Sequence, residues 1–231
     1  MREPVVVSHP AVADRLARVR DVATPMPIFR RLVEELGIFL AYEATRDLAT
    51  RHDRAQTPVG PAEVRRFAAR PVVAPILRAG LGLLPGFLAV IDDAIVAHLG
   101  FFRDPGTLEA IPYYANLPVE LHATAVFALD PMLATGHSAA AALDVLAERG
   151  AREPTLLCLL AAPEGIAHLR DRHPDARIVT CAIDTGLNEH GYIVPGLGDA
   201  GDRMFGSVSS VPTGYRRMRR GSEPDAAGSM A

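Results

Sequence analysis

Two kinds of apolar spacing divide the chain. Up to about residue 50, apolar residues recur every three or four positions. They fall at Val12, Leu16 and Val19 in "HPAVADRLARVRD", then at Phe29, Leu32, Val33, Leu36, Phe39 and Leu40 in "PIFRRLVEELGIFLAYEATRDLATR". That period draws one apolar stripe along each of two helices, the first opened by a proline. Residues 52–62, "HDRAQTPVGPA", carry no stripe and read as a polar, proline-containing connector. Beyond it the apolar residues bunch into five short runs: "PVVAPIL", "AIVAHLGFF", "TAVFALD", "TLLCLLAA" and "RIVTCAID". Runs of this length without polar alternation suit strands buried on both faces, as in a parallel sheet. Between them, "SAAAALDVLAERGA" and "PEGIAHLRDRHPDA" return to helical spacing, the first stopped by Gly150. The alternation predicts an α/β protein: an open, mainly parallel twisted sheet with a Rossmann-like core, flanked by helices and preceded by a helical part. Residues 1–211 then form one domain, and 212–231, which lack apolar periodicity, a disordered tail.

In such sheets ligands sit at the carboxyl ends of the strands, and three of these ends carry unusual residues. The first runs into "PILRAGLG", where Arg78 is followed by Gly80 and Gly82. Glycines let backbone approach a ligand, and an arginine beside them suits a phosphate or diphosphate; a plain strand-to-helix turn with a surface arginine fits equally well. The third runs into "DPMLATGHSAAAALDVL". Asp130 stands at the tip, and the backbone N–H groups of Ala134 to Ser138 open a helix whose N-terminus favours negative charge. Thr135 and Ser138 add hydroxyls, and the acid upstream can accept from sugar hydroxyls. This order describes a ribose 5-phosphate cradle better than it describes a helix capped by Ser138 or Thr135. It is not a Walker loop, since no lysine follows the glycine. The fifth run enters "GYIVPGLGDAGDR", whose glycine-rich backbone can read the edge of a flat heterocycle, with Asp199 and Asp202 available to ligand hydroxyls or a metal. A loop of that length is uncommon unless functional.

Composition narrows the field. Among 231 residues, 24 are Lys or Arg and 27 Asp or Glu, for a net charge of -3, which leaves no electrostatic footprint for nucleic acid. All the basic residues are arginine, so every cationic role falls to a group that stays charged and grips phosphate bidentately. The "RRMRR" cluster of the tail reads as a solvated patch. Cys158 and Cys181 sit in apolar runs as buried thiols, with no zinc-binding pattern. Neither a signal-peptide pattern nor a membrane-length apolar run appears, so a cytoplasmic location is expected.

The motifs "VAPILRAGLG", "DPMLATG.S", "AAPEGI" and "GLNEHGYIVPGLGDAGDR" occur in an order and at a spacing that resemble the uracil phosphoribosyltransferases, over about Val5 to Gly206. The Asp130–Pro131 pair is similar to this branch, whereas most other type I phosphoribosyltransferases carry two adjacent acids there. The resemblance implies the type I phosphoribosyltransferase fold with a small hood. It implies the conversion of uracil and 5-phosphoribosyl 1-diphosphate (PRPP) to UMP and diphosphate, with Mg²⁺ brought in mainly through PRPP. Carried over by position, Arg78 and Arg103 hold the diphosphate. Asp130, Pro131, Met132, Leu133, Ala134, Thr135, Gly136, His137 and Ser138 hold the ribose 5-phosphate, with Asp130 on the ribose hydroxyls. Ile193, Gly198, Asp199 and Ala200 bind uracil through backbone groups, and Asp199 also meets PRPP. Asp199, Arg103 and Asp130 are thereby the expected catalytic residues, Asp199 assisting N1 of uracil, while His190 reads as structural. A homodimer or larger homo-oligomer and a GTP effector are also implied, with no nucleic-acid or membrane partner.

Three positions depart from the family pattern. Asn116 stands where many relatives carry a lysine in a mobile loop, Pro27 where lysine is frequent, and His137 where glycine is usual, at what is expected to be a left-handed backbone position. Two other readings remain open: a regulator that binds RNA or DNA on the same fold, and a transferase for another base.

Overall fold

The computed structural model describes residues 3–103, 110–118 and 120–207. The expected tail lies outside them. The elements follow as β1 (Val5–Val6), α1 (Pro10–Arg20), α2 (Met26–Ala44), β2 (Thr50–Gln56), β3 (Pro61–Phe67), β4 (Val72–Leu77), α3 (Leu84–Val90), β5 (Ile95–Val96), β6 (His98–Arg103) and β7 (Ala110–Asn116). The second half continues with β8 (Val126–Leu129), β9 (Met132–Leu133), α4 (His137–Glu148), β10 (Thr155–Ala161), α5 (Pro163–Arg172), β11 (Arg177–Ile183), β12 (Gly186–Leu187), β13 (Ile193–Val194) and α6 (Ala200–Phe205).

The main sheet has the order β1-β11-β10-β8-β4-β6-β7. Its neighbours are parallel except β6 and β7. Each apolar run supplies both faces by the two-residue period of a strand. Val73, Phe127, Leu129, Leu157 and Leu159 face one core with α1, α2, α3 and α6. Val72, Ala74, Val126, Ala128, Leu156 and Cys158 face the other, with α4 and α5. The stripe on α2 buries Phe29, Leu32, Val33, Leu36 and Leu40 against the first core, as its spacing requires. From β4 the chain moves outward to β6 and then returns to the other side of β4 as β8, so strand order reverses between β4 and β8. A crevice opens at such a reversal, beyond the carboxyl ends of the strands.

The structure corrects three expectations. The segment around 52–62 is not a connector but the turn and flanks of an antiparallel hairpin, β2–β3. Both its faces are largely exposed, so no apolar alternation marks it; Arg54 pairs with Glu63 at 2.7 Å and Arg66 with Asp53 at 2.9 Å instead. Asn116 ends the antiparallel strand β7, paired in register with His98, rather than lying in a loop. The left-handed residue of the 134–138 turn is Gly136, with φ 83°, and His137 is already the first residue of α4. The reversal of direction is complete one residue early, so histidine at 137 carries no backbone strain.

Candidate functional site

Arg78 directly follows β4, and Asp130 directly follows β8, so the two strand ends that flank the crevice bring both residues to its mouth. The Leu77–Arg78 peptide is cis, and Ala79–Gly82 then forms a turn of 3-10 helix. Gly80 lets that turn press on the neighbouring strand end: a Cβ there would lie 2.3 Å from the Leu129 carbonyl oxygen. Any side chain would push the ends of β4 and β8 apart.

The crevice holds a cleft of about 340 Å³, lined by Ala79, Asp130, Met132 and Ala134 on one side and by His190–Ile193 and Gly198–Gly201 on the other. A recess of about 60 Å³ joins it at Asp130 and is walled by Leu133, Ala134, Thr135, Gly136, Ser138 and Ala139. No side chain caps α4, whose N-cap is Gly136, so neither Thr135 nor Ser138 serves as the cap that a purely structural helix start would want. Its first backbone N–H groups sit beside the recess, and such groups attract anions. The stretch before it is fixed by backbone bonds to β10: Asp130 N–H donates to Leu157 O at 3.1 Å, and the Pro131 carbonyl accepts from Leu159 at 2.9 Å. β9 itself runs parallel to β10, Met132 opposite Leu160.

Asp130 is an acid in an unfavourable place. Removal from water pushes its pKa up to about 7; the charge of Asp199 adds to the rise, and the Met132 N–H, 3.4 Å away, opposes it. Such an acid welcomes donors, and ligand hydroxyls are donors. The Cys158 thiol, buried beneath in β10, is pushed up to about 12, chiefly by burial, and stays a thiol.

The opposite wall is the glycine-rich loop. It follows a small hood, the antiparallel pair β12–β13, which is pinned to α5 because Glu164 accepts the Leu187 N–H at 3.1 Å. Asn188 Oδ1 accepts the N–H groups of His190 at 3.0 Å and Tyr192 at 2.9 Å, tightening the turn that carries both into the cleft wall. Gly196 has φ 61°, and a Cβ there would lie 2.1 Å from the Ile193 carbonyl oxygen, so the loop folds this tightly only with glycine.

Three side chains outside the expected set lock this loop. Arg20, from the end of α1, makes a two-pronged ion pair with Asp184 at 2.8 and 2.6 Å and donates to the Gly196 carbonyl at 2.7 Å. Asp184 in turn accepts the Gly196 N–H at 2.9 Å, closing the ring. Burial works against Asp184's charge, but the hydrogen bonds from Arg20 and Gly196 overcome it and hold its pKa below the usual carboxylate value. Arg203 donates to the carbonyls of Val19 at 2.6 Å, Leu197 at 2.8 Å and Asp21 at 2.6 Å, with its guanidinium 4.2 Å from the centre of the Phe29 ring.

Of the expected residues, Asp130 to Ser138 gather around the recess and cleft. Ile193, Gly198, Asp199 and Ala200 line the facing wall, Ile193 and Ala200 with buried side chains. Pro131 and His137 of this stretch line neither cavity; the His137 ring stands beside Thr135, Nδ1 2.9 Å from Oγ1. Asp199 caps α6 by accepting the Asp202 N–H at 2.8 Å. Arg78 reaches Asp202 at 3.2 Å. Arg103 ends β6, and its side chain lies outside the described residues. His190, read as structural, lines the cleft with Gly191 and Tyr192. Its position three residues before Ile193 is the one sequence signal for this. Nothing local in the sequence marks Arg20 or Asp184, whose pairing spans 164 residues.

A mainly parallel sheet whose strand order reverses beside an acid-tipped turn and helix start, with a hood across the cleft, defines a type I phosphoribosyltransferase fold. The family model "Uracil phosphoribosyltransferase" matches residues 6–207. A uracil phosphoribosyltransferase of Symbiobacterium thermophilum is 48% identical over 208 residues, covering 90% of this chain and 100% of its own. One from Kineococcus radiotolerans is 52% identical over 207 residues, covering 88% and 98%. The solved structure of the AQ2163 protein from Aquifex aeolicus superposes with a TM-score of 0.85 at 35% identity, over 90% of this chain and 100% of that one. The chain belongs to the uracil phosphoribosyltransferase family. Among the described residues, no helix is long and apolar enough to cross a membrane.

Proposed function

We propose that this protein transfers the 5-phosphoribosyl group of PRPP to N1 of uracil, releasing UMP and diphosphate. One observation carries the reading: all three chemically marked strand ends of a chain matched to this family over residues 6–207 converge on one cleft. The bond from the anomeric carbon to the diphosphate oxygen breaks, the bond from that carbon to N1 forms, and the N1 proton passes to the departing diphosphate or to water.

In this reading the recess between Leu133 and Ser138 takes the 5-phosphate on backbone N–H groups and hydroxyls, and Asp130 accepts from the ribose hydroxyls. Binding the sugar gives the Asp130 carboxylate the donors it lacks, so the ionised form prevails in the complex. Positive charge that develops on the ribose then faces a negative carboxylate. Arg78 and Arg103 hold the diphosphate as its charge grows. Backbone groups of Ile193, Gly198 and Ala200 read the uracil edge, and Asp199 orients N1 toward the anomeric carbon, where alignment matters more than base strength.

Magnesium fits this donor set as a visitor on the substrate. Among the described residues no three His, Cys, Asp or Glu side chains gather to cage a cation, while Asp130 and Asp199 stand within the same cleft. Mg²⁺ is commonly held by one or two carboxylates plus substrate phosphates. When bound it neutralises charge on the departing diphosphate. A homo-oligomer, a GTP response and a cytoplasmic site of action complete the reading. The last agrees with free buried thiols at Cys158 and Cys181.

The test is UMP formation from uracil, PRPP and Mg²⁺, with each omitted in turn and with cytosine, orotate and purines in place of uracil. UMP that requires all three components, with uracil preferred, supports the reading. No UMP, or turnover of another base in preference, overturns it.

A further inference from the structure

His137 opens α4 at the rim of the phosphate recess, and its Nδ1 lies 2.9 Å from the hydroxyl oxygen of Thr135. Its ring is not free to turn away. The His168 ring from α5 packs against it with centroids 4.5 Å apart at 42°. His168 is itself seated on the turn: its Cβ and Cδ2 lie 3.2 Å from the point where Gly136 would carry a Cβ. The Thr135 methyl group faces the other way, 3.6 Å from the corresponding point of Gly191 on the hood. The threonine is thus oriented at both ends, methyl toward the hood and hydroxyl toward the imidazole, in the wall of the recess.

A hydroxyl has one proton to give and lone pairs that accept. If Nδ1 is bare, Thr135 donates to it and offers an anion only lone pairs, which repel. If Nδ1 carries its proton, the imidazole donates to Thr135, and the threonine proton is released toward the recess. We propose that His137 is a positioning residue for the 5-phosphate of PRPP: by donating from Nδ1 to Thr135 Oγ1, it directs the Thr135 proton at a phosphate oxygen. The inference rests on the assignment of this recess to the 5-phosphate. It makes His137 part of the site without contact to the substrate, and it gives the two-histidine stack a purpose beyond packing.

A double-mutant cycle tests this, with KM for PRPP and kcat measured at saturating uracil and Mg²⁺. His137→Ala keeps a good helix former at the start of α4, and Thr135→Val keeps the shape and the methyl contact while removing the hydroxyl. In the native background, loss of the donor that aims the Thr135 proton at the anion raises KM for PRPP about 5-fold, with kcat changed little. In the Thr135→Val background His137→Ala has no hydroxyl to direct, and KM moves less than about 1.5-fold. An equal factor in both backgrounds, or no effect in either, overturns the proposal, because a helix-start or packing role does not depend on the hydroxyl. Failure of the unmutated protein to form UMP from PRPP removes the underlying reading, an outcome distinct from either.

Discussion

Residues 130–138 and 191–203 face each other across one cleft, yet they are fixed by opposite means. The first stretch is held by main-chain bonds to the adjacent strand: Asp130 to Leu157, Pro131 to Leu159, Leu133 to Ala162. Past the short β12–β13 pair, the second is held largely by side chains: Arg20 and Asp184 bracket Gly196, its own Arg203 grips Val19 and Asp21, and Glu164 secures the hood. A phosphate needs little beyond N–H groups at a helix start, and a sheet with its following helix supplies these whatever the side chains. A base read through backbone groups needs that backbone held within about half an ångström. Beyond Val194 this stretch has no ladder partner, and such a loop gains rigidity from buried charged hydrogen bonds. The cradle should therefore lose function only when the reacting groups change, and the base wall when its distant supports change.

The largest effect separates chemistry from stability in the cradle. Asp130→Asn is expected to lower kcat/KM for PRPP by about 10²- to 10³-fold, because charged hydrogen bonds to the ribose are lost. The same variant should be more stable than the parent. The folded pKa of Asp130 lies near 7, above its unfolded value of 3.8, so keeping it ionised costs folding energy. That cost begins above about pH 4, grows until about pH 7, and is absent below the unfolded pKa. The thermal midpoint of Asp130→Asn should exceed the parent's by about 4 °C at pH 8, with a smaller gain at pH 5. The parent's kcat/KM for PRPP should fall as pH drops below about 7, where the free carboxylate takes up its proton. A variant less stable than the parent at pH 8 would falsify this account of Asp130.

The next effect belongs to the base wall and should be nearly the converse. Arg20→Met leaves Asp184 as a charge only 5% exposed with its main partner gone, at a cost of about 3 kcal/mol. KM for uracil is expected to rise about 20-fold, with KM for PRPP within about 2-fold of the parent and discrimination against cytosine reduced. Asp184→Asn should behave alike. Equal increases in both KM values would show that the ring supports the whole cleft rather than the base loop.

This contrast also explains what the sequence makes legible. The five buried runs became strands β4, β5–β6, β8, β10 and β11, and the first two helices lie where their stripes put them, since burial on one stripe or two faces writes a period into the chain. The acid, the turn and the helix start lie within nine residues, so their gathering around one recess could be read in place. The hairpin β2–β3 escaped because a strand pair exposed on both faces carries no apolar alternation. Arg20, Asp184 and Arg203 escaped for a different reason. Each is an ordinary charged residue until the fold brings it to the loop, and partners 164 or 184 residues apart leave no local signature.

A third prediction grades the support of the base wall. Arg203→Lys keeps the charge but cannot direct donors at three carbonyls held in different directions, and it loses the flat face that lies over Phe29. KM for uracil should rise about 5-fold, less than for Arg20→Met because the Arg20–Asp184 ring still holds Gly196. Combining Arg203→Lys with Arg20→Met should raise KM by more than the product of the single factors, since the two clamps share the segment from Gly196 to Leu197.

The smallest expected effect concerns the contact that joins the two walls. Arg78 belongs to the β4 end and Asp202 to α6, and their ion pair of 3.2 Å leaves the side chains 43% and 40% exposed. A pair this wet is worth well under about 1 kcal/mol, too little to make one wall sense the other. If Arg78 holds the diphosphate as proposed, Asp202 competes for the same guanidinium, and removing its charge both loosens Arg78 and frees it. Asp202→Asn is expected to change KM for PRPP by less than about 2-fold and KM for uracil by no more, at low salt as at 0.3 M. A larger change in the uracil term than in the PRPP term would mean that the base wall is tuned from the diphosphate side. The separation of the two walls into a ladder-built cradle and a side-chain-built reader would then have to be redrawn around Arg78.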